Sequence, residues 1–134
     1  MTSRAHRALS SPEKARLRHL VEGVERETGA EIAVLIVPHV HDVEGFATAH
    51  FNQMGIGKRG HDNGILVLVD LDRRVVRIEV GRGLETAVGP EAARRVIADV
   101  MAPQLRAGRC GDAVLQGIEA LGHLIRAAQV PGRP

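Results

Sequence analysis

The sequence is almost without aromatic residues and has very few cysteines. It holds 134 residues, among them two phenylalanines, Phe46 and Phe51, and neither tryptophan nor tyrosine. A surface with so few aromatic rings lacks the stacking platform on which single strands of nucleic acid or sugar rings usually lie. Cys110 is the single cysteine, which excludes an intrachain disulfide and a cysteine-rich zinc site. Its neighbour Arg109 would favour a thiolate, but nothing places a histidine beside it, and we interpret Cys110 as incidental.

Long apolar runs are also lacking. No stretch reaches the roughly 18 apolar residues that span a bilayer, and no apolar run follows Arg4 and Arg7 as it would in a secretory signal. As written, the chain is therefore expected in the cytoplasm unless a leader has been trimmed from it. We interpret residues 1–9 as a flexible arm and 129–134 as a flexible tail on either side of one domain, residues 10–128.

The charge balance excludes another class of partner. The chain has 18 basic and 16 acidic residues, so its formal net charge is only +2. A small, scattered positive excess does not predict nucleic-acid binding. Hydrophobic residues make up 44% and charged residues 25% of the chain, a composition typical of a soluble globular domain.

Hydrophobic periodicity predicts an alternation of helices and strands. Strands are expected over residues 31–37, 64–70 and 74–80, and helices over 12–27, 43–54, 90–101 and 112–127, with a turn at Pro103. In the second helix, Phe46 and Ala49 are expected to face inward. A helical crossover makes the first two strands parallel, and a tight turn makes the last two an antiparallel hairpin. The fold class is therefore α/β, a three-layer α/β/α sandwich with a mixed central sheet.

Two short motifs resemble known sites without the right context. The stretch from Gly55 to Gly60 reads G-x-G-x-x-G, but it follows a helix and opens a strand, whereas a dinucleotide fingerprint follows a strand and opens a helix. Asp70 and Asp72 follow an apolar strand, as in the nucleophile motif of haloacid-dehalogenase-type phosphatases. The chain then turns directly into a hairpin, so a charged turn is the favoured interpretation.

A pair of histidines lies on the loop after the first strand. His39 and His41 are two residues apart and offer two nitrogen ligands to a metal. Without a third ligand, such a pair is more often part of a solvated loop.

A longer set of motifs matches a known family. Residues 46–69 read F-A-T-A-H-F-N-Q-M-G-I-G-K-R-G-H-D-N-G-I-L-V-L-V, and residues 72–85 read D-R-R-V-V-R-I-E-V-G-R-G-L-E. With E-x-x-T-G-A-E-I-A-V at residues 25–34 and A-P-Q-L-R-A-G at residues 102–108, this order of motifs resembles the TPM domain family. That family includes a thylakoid-lumen protein of photosystem II repair and an acetylcholine-receptor modulator. The resemblance implies an α/β/α sandwich, a divalent-cation site and, for some members, acid-phosphatase activity; most members are extracytoplasmic and anchored to a membrane.

The residues themselves support a candidate site at one end of the sheet. Asp62 and Asn63 precede the second strand, and Arg82 and Glu85 follow the third. Because these two strands are antiparallel, the four residues are expected to converge. Asp62, Asn63 and, as a third ligand, Glu85 offer oxygen atoms suited to Ca²⁺ or Mg²⁺, although Asp-Asn-Gly is equally good turn chemistry.

Two functions are compatible with this site. In the first, the domain is a non-catalytic interaction module that helps to assemble or repair a membrane protein complex, or binds another protein partner. In the second, it is a weak metal-dependent phosphomonoesterase, with Asp62 and Arg82 as catalytic candidates and Arg82 holding the phosphate ester. Neither function involves a nucleic acid or a dinucleotide.

Overall fold

The domain is built on a three-stranded mixed sheet. The computed structural model describes residues 9–55 and 62–129, and all structural statements below concern these residues. The strands are β1 (Glu31–Val37), β2 (Gly64–Asp70) and β3 (Val75–Val80), in the spatial order β1-β2-β3. β1 runs parallel to β2 and β3 runs antiparallel to it. The predicted strands and their directions are therefore confirmed.

Helices cover both faces of this sheet. They are α1 (Ser11–Thr28), α2 (Val43–Met54), α3 (Pro90–Arg95), a π-helical segment (Val96–Met101), α4 (Ala102–Arg106) and α5 (Cys110–Ala128). α1 begins with a capping box, in which Ser10 Oγ accepts the N–H of Glu13 and the Glu13 carboxylate accepts the N–H of Ser10. Gly29 ends α1 in the left-handed conformation, with φ of 82°.

The core has two layers, separated by β2. Ile65, Val67 and Val69 of β2 pack with α1, α5 and the helices after β3, while Leu66 and Leu68 pack against α2 on the other face. All seven residues of β2 are buried, as its continuous apolar run predicts. This arrangement confirms the three-layer sandwich.

Two burial predictions need correction. The apolar run over residues 31–37 predicts a strand covered on both faces, but most of β1 is only half-buried, because β1 lies at the edge of the sheet. In α2, Val43 and Ala47 are buried and Phe46 is half-buried, whereas Ala49 is exposed. The helix therefore lies on the sheet with a face rotated from the predicted one.

The chain does not turn at Pro103. Helical structure continues from Pro90 to Arg106, and Pro103 lies in the first turn of α4. A proline lacks the N–H that would continue an α-helix. The π-helical segment directly before it changes the hydrogen-bond register, so that the N–H of Ala102 donates to the carbonyl of Ile97, five residues earlier.

The last helix begins earlier than predicted. α5 starts at Cys110, not at Asp112, and Gly111 is buried inside it. Most of the predicted arm and tail (residues 1–8 and 130–134) and the loop residues 56–61 lie outside the described residues. Among the helices that the structure describes, none has the length and apolar character that crossing a bilayer requires.

Candidate functional site

Two backbone hydrogen bonds join the start of β2 to the segment after β3. The N–H of Gly81 donates to the carbonyl of Gly64 at 2.8 Å, and the N–H of Gly83 donates to the carbonyl of Asp62 at 2.9 Å. Asp62 and the short 3₁₀ helix Arg82–Leu84 are therefore held at the same end of the sheet, as expected for an antiparallel strand pair.

Gly81 makes this close approach possible. A Cβ atom at this position would lie 2.3 Å from the carbonyl oxygen of Asp62 and 3.1 Å from that of Gly64. Its role is therefore steric, because no other residue would let the two chain segments come so close. Asp62 itself has a φ of +50°, a conformation that asparagine and aspartate tolerate better than other non-glycine residues.

The side chains at this end are open to solvent. Asp62, Arg82 and Glu85 are exposed. In the described part of the chain, the side chains of Arg82 and Glu85 make no hydrogen bond or ion pair. A carboxylate and a guanidinium in this state are free to bind a ligand, but each ligand contact must then replace water.

Asn63 contributes to the fold through both its backbone and its side chain. Its side-chain nitrogen donates a hydrogen bond to the carbonyl of Gly29 at the end of α1, and its backbone carbonyl accepts the N–H of Glu31 at 2.9 Å. Asn63 thereby ties the end of α1 and the start of β1 to β2. Its predicted role as a metal ligand stays a prediction.

Metal-ligand side chains are sparse in the described residues. Within 9–55 and 62–129, no three histidine, cysteine, aspartate or glutamate side chains are grouped so as to hold a metal ion. Asp62 lies at this end of the sheet, and Glu85 follows the 3₁₀ helix and lines the cavity between β3 and α3. The glycine-rich loop that precedes Asp62 lies outside the described residues from 56 to 61.

The opposite end of the sheet contains a buried carboxylate that sequence reasoning treated as a turn residue. Asp70 is fully buried; its two oxygens accept the N–H groups of Val40 at 3.1 Å and Arg73 at 3.0 Å. The ring of His39 lies 3.3 Å away. Since both oxygens are occupied by backbone donors, Asp70 anchors two loops and is poorly placed to act as a nucleophile.

The two loop histidines lie near Asp70 and Arg73. His39 faces Asp70 through its Nδ1 atom, and the backbone carbonyl of His41 accepts a hydrogen bond from the Arg73 guanidinium at 3.1 Å. Among the described residues, neither belongs to a group able to hold a metal. Both histidines are exposed, and the solvated-loop interpretation of the pair stays a prediction.

Cys110 is buried at the start of α5. Burial raises the pKa of its thiol from 9.0 to about 11, and the Glu13 carboxylate adds to the increase. The net shift is upward, so burial outweighs the effect expected of Arg109, whose side chain bonds Gln104 at 2.7 Å. The thiol stays protonated near neutral pH, which agrees with the interpretation of Cys110 as incidental.

Comparison with known proteins identifies the family to which this arrangement belongs. The model of the TPM domain matches residues 3–124. No curated protein matches the chain.

Solved bacterial structures share the fold. The N-terminal domain of a P. gingivalis protein has 28% sequence identity and a TM-score of 0.83, and the match covers 90% of this chain and 78% of that one. A protein of the psychrophile Bizionia argentinensis has 20% identity and a TM-score of 0.77 over 94% and 91% of the two chains. The N-terminal domain of a Corynebacterium glutamicum protein has 13% identity and a TM-score of 0.69 over 94% and 77%. The family match covers most of the chain, and we conclude that the chain belongs to the TPM domain family.

Proposed function

We propose that this TPM domain is a non-catalytic binding module that takes up Ca²⁺ or Mg²⁺ weakly at the Asp62 end of the sheet. The observation that carries the proposal is the pair of hydrogen bonds from Gly81 and Gly83, which holds Asp62 beside the segment that contains Arg82 and Glu85. Hard cations prefer carboxylate and carbonyl oxygens. Asp62 and Glu85 supply exposed carboxylates there, and Asn63 is the remaining proposed ligand.

Exposure of these carboxylates favours weak binding. Asp62 and Glu85 are both in contact with solvent, so a cation bound between them keeps much of its hydration shell. A partly hydrated ion orders the loop around it and changes the charge of the surface at little cost in dehydration. By the family resemblance, the surface ordered in this way would contact a membrane protein complex or another protein.

The test is a titration of the whole chain with CaCl₂ or MgCl₂, followed by backbone amide chemical shifts. We expect shifts at residues 57–64 and 82–86 at millimolar cation. Asp62→Asn is the informative variant because asparagine keeps the left-handed backbone conformation at φ +50°, whereas alanine would add strain. Asp99→Asn on the exposed surface of the π-helical segment makes the same charge change elsewhere and is the matched control.

The outcomes separate clearly. We expect Asp62→Asn to weaken the cation response at least about fivefold, as expected on loss of one of two carboxylates, and Asp99→Asn to leave it unchanged. An absence of shifts at these residues in the wild-type chain, or an equal response in both variants, would contradict the cation site.

A second candidate function is phosphomonoester hydrolysis. It is favoured by Arg82, whose exposed guanidinium follows directly on Gly81 and therefore lies at the same end of the sheet as Asp62. A guanidinium binds two phosphate oxygens at once, and a bound cation would polarise the phosphoryl group. Water would be the nucleophile.

Hydrolysis of p-nitrophenyl phosphate by highly purified wild type, Asp62→Asn and Arg82→Gln decides this candidate. Loss of activity in both variants, with their folds intact, would establish the enzyme. Equal activity in all three proteins would show that a contaminant is responsible and would leave the binding module as the function.

A further inference from the structure

The outer edge of β3 has the chemistry of a strand that pairs with another strand. Within the described residues, β3 pairs only with β2. The N–H of Gly81 bonds the carbonyl of Gly64, and hydrogen-bonded and non-hydrogen-bonded positions alternate along an antiparallel pair. Arg77 and Glu79 therefore direct their backbone groups at β2, whereas Val76, Ile78 and Val80 direct theirs at the outer edge.

This edge has few of the features that usually prevent pairing. Edge strands are commonly protected by proline, by charged side chains, lysine above all, or by a β-bulge, and the two charges of β3, Arg77 and Glu79, are of opposite sign. The β3 sequence V-V-R-I-E-V contains neither proline nor lysine, and its register with β2 is regular over all six residues. Val75, at the start of the strand, is the one large hydrophobic residue that is exposed in the described part of the chain.

A groove runs beside the same edge. A cavity of about 340 Å³ lies between β3 and helix α3. Its wall includes the apolar side chains Val88, Ala93 and Ile97 together with Ile78 and Val80. The same wall also carries the charged side chains Arg77, Glu79, Glu85 and Arg94. A second strand placed against the edge would therefore find backbone partners, apolar contacts and charges of both signs.

The charges of β3 point to a second copy of the same strand. Residues 76–80 read V-R-I-E-V. In the reverse direction the stretch reads V-E-I-R-V, so the apolar residues keep their places about Ile78 while the arginine and the glutamate exchange theirs. In an antiparallel pair centred on Ile78, Arg77 lies opposite Glu79 of the partner subunit, and the partner's Arg77 lies opposite Glu79. Arg77 and Glu79 already form an ion pair within one chain, at 3.0 Å, so the four charges would alternate in sign.

We propose that the β3 edges of two copies pair antiparallel about Ile78, which gives a two-fold symmetric dimer with a continuous six-stranded sheet. Each Val76 then lies opposite Val80 of the partner subunit, at positions whose backbone groups both point to the interface. The two opposite-charge pairs lie at non-hydrogen-bonded positions, where facing side chains come closest. Such an interface is self-complementary, as a two-fold axis requires, and its single strand edge makes it small and weak.

Sedimentation velocity at increasing concentrations of the whole chain tests this dimer. We expect a reversible monomer–dimer equilibrium for the wild type. Arg77→Glu places two glutamates opposite each other, and Glu79→Arg places two arginines opposite each other, so each variant should dimerise at least about tenfold more weakly. The combined exchange, R77E with E79R, should restore dimerisation because the charge pattern is again complementary.

Mixing the two single variants separates an interface from a merely structural role. In the mixture every facing pair is oppositely charged, so a 1:1 heterodimer should form although each variant alone is monomeric. Arg16→Glu and Glu119→Arg, at exposed positions on α1 and α5, make the same changes in net charge elsewhere. That control mixture should not favour a heterodimer.

Amide hydrogen exchange locates the contact independently. The N–H groups of Ile78 and Val80 should become protected as the concentration rises, whereas those of Arg77 and Glu79, which bond β2, should be protected throughout. A wild-type chain that stays monomeric up to millimolar concentration would overturn the proposal and would leave the edge to an extended peptide of another protein. Dimerisation of equal strength in the wild type and in the two charge-reversal variants would also overturn it.

Discussion

At the scale of single residues, one glycine and one asparagine organise the candidate site. Because Gly81 has no Cβ, the end of β3 can pass close to the carbonyl of Asp62. Asn63 connects the start of β2 to the end of α1 through a hydrogen bond to the carbonyl of Gly29. Both contacts decide where Asp62 lies, and Asn63 is in addition a proposed cation ligand. The position of the carboxylate that would contact a cation therefore depends on packing and hydrogen bonds within the fold.

Gly81→Ala should destabilise the domain. The new methyl group would lie 2.3 Å from a carbonyl oxygen, and overpacking of this kind costs about 1–3 kcal/mol. We expect a loss of about 2–3 kcal/mol in the free energy of unfolding, measured by urea denaturation. The cation response of Asp62 should be lost as well, because the two chain segments must move apart.

Gly23→Ala is the matched control for this prediction. Gly23 lies within α1, and a Cβ there would meet nothing closer than 3.8 Å. Alanine is a better helix former than glycine by about 1 kcal/mol, so this variant should be stabilised. If both variants changed stability in the same direction, the steric account of Gly81 would be wrong.

At the scale of secondary-structure elements, the long helical segment Pro90–Arg106 shows how a chain accommodates a proline inside a helix. The π-helical segment widens the turn before Pro103 and ends in Met101, which is fully buried. Met101 packs against Gly117 of α5, where a Cβ would lie 2.6 Å from the Met101 sulfur. The irregular helix and α5 therefore fit together through one large and one small residue.

A double-mutant cycle tests this contact between elements. Gly117→Ala should destabilise the domain by about 1–3 kcal/mol, and Met101→Ala by about 2–5 kcal/mol. The two changes together should cost clearly less than their sum, because truncation of Met101 makes room for the methyl group. If the losses in the free energy of unfolding of the two single variants added up to that of the double variant, Met101 and Gly117 would not be in direct contact.

At the scale of the whole molecule, the packing of α1 on α5 makes stability depend on pH. Cys110 is buried at the start of α5. The Glu13 carboxylate of α1 packs directly on its neighbour Gly111, where a Cβ atom would overlap the carboxylate. The thiol pKa rises from 9.0 to about 11 in the folded chain. Above pH 9.0 the unfolded chain therefore loses a proton that the folded chain keeps, and the free energy of unfolding falls as the pH rises.

The pH dependence is tested by comparing the free energy of unfolding of the wild type with that of Cys110→Ala, which lacks the thiol. Each unit of pKa shift corresponds to about 1.4 kcal/mol, so the stability that wild type has over Cys110→Ala should shrink by about 2 kcal/mol between pH 9.0 and about 11. Other groups titrate equally in both proteins and cancel. If the stability difference between the two proteins stayed constant over this pH range, the thiol would have the same pKa in the folded and the unfolded chain, which would contradict the prediction.

Much of the fold was predictable because its signals are local. The apolar runs of β1 and β2, the Ser10 cap and the Gly29 stop each depend on near neighbours, and so the elements and their order follow from periodicity and turn chemistry. The convergence of the segments around Asp62 and Arg82 also follows, since an antiparallel hairpin brings the start of one strand beside the end of the next. The order of motifs further indicated the TPM domain family.

The roles of the individual side chains depend on contacts between residues that are distant in the sequence. Asp70 and Asp72 look alike in the sequence, but packing buries Asp70 between the amides of Val40 and Arg73. The same holds for Cys110, whose burial outweighs its cationic neighbour, and for the helix through Pro103. Burial and hydrogen bonding between distant residues depend on three-dimensional proximity, which local periodicity does not encode. Local patterns in the sequence are therefore enough to predict the sandwich and the end of the sheet at which the segments around Asp62 and Arg82 meet, whereas the burial and hydrogen bonds of each side chain follow from packing between distant segments.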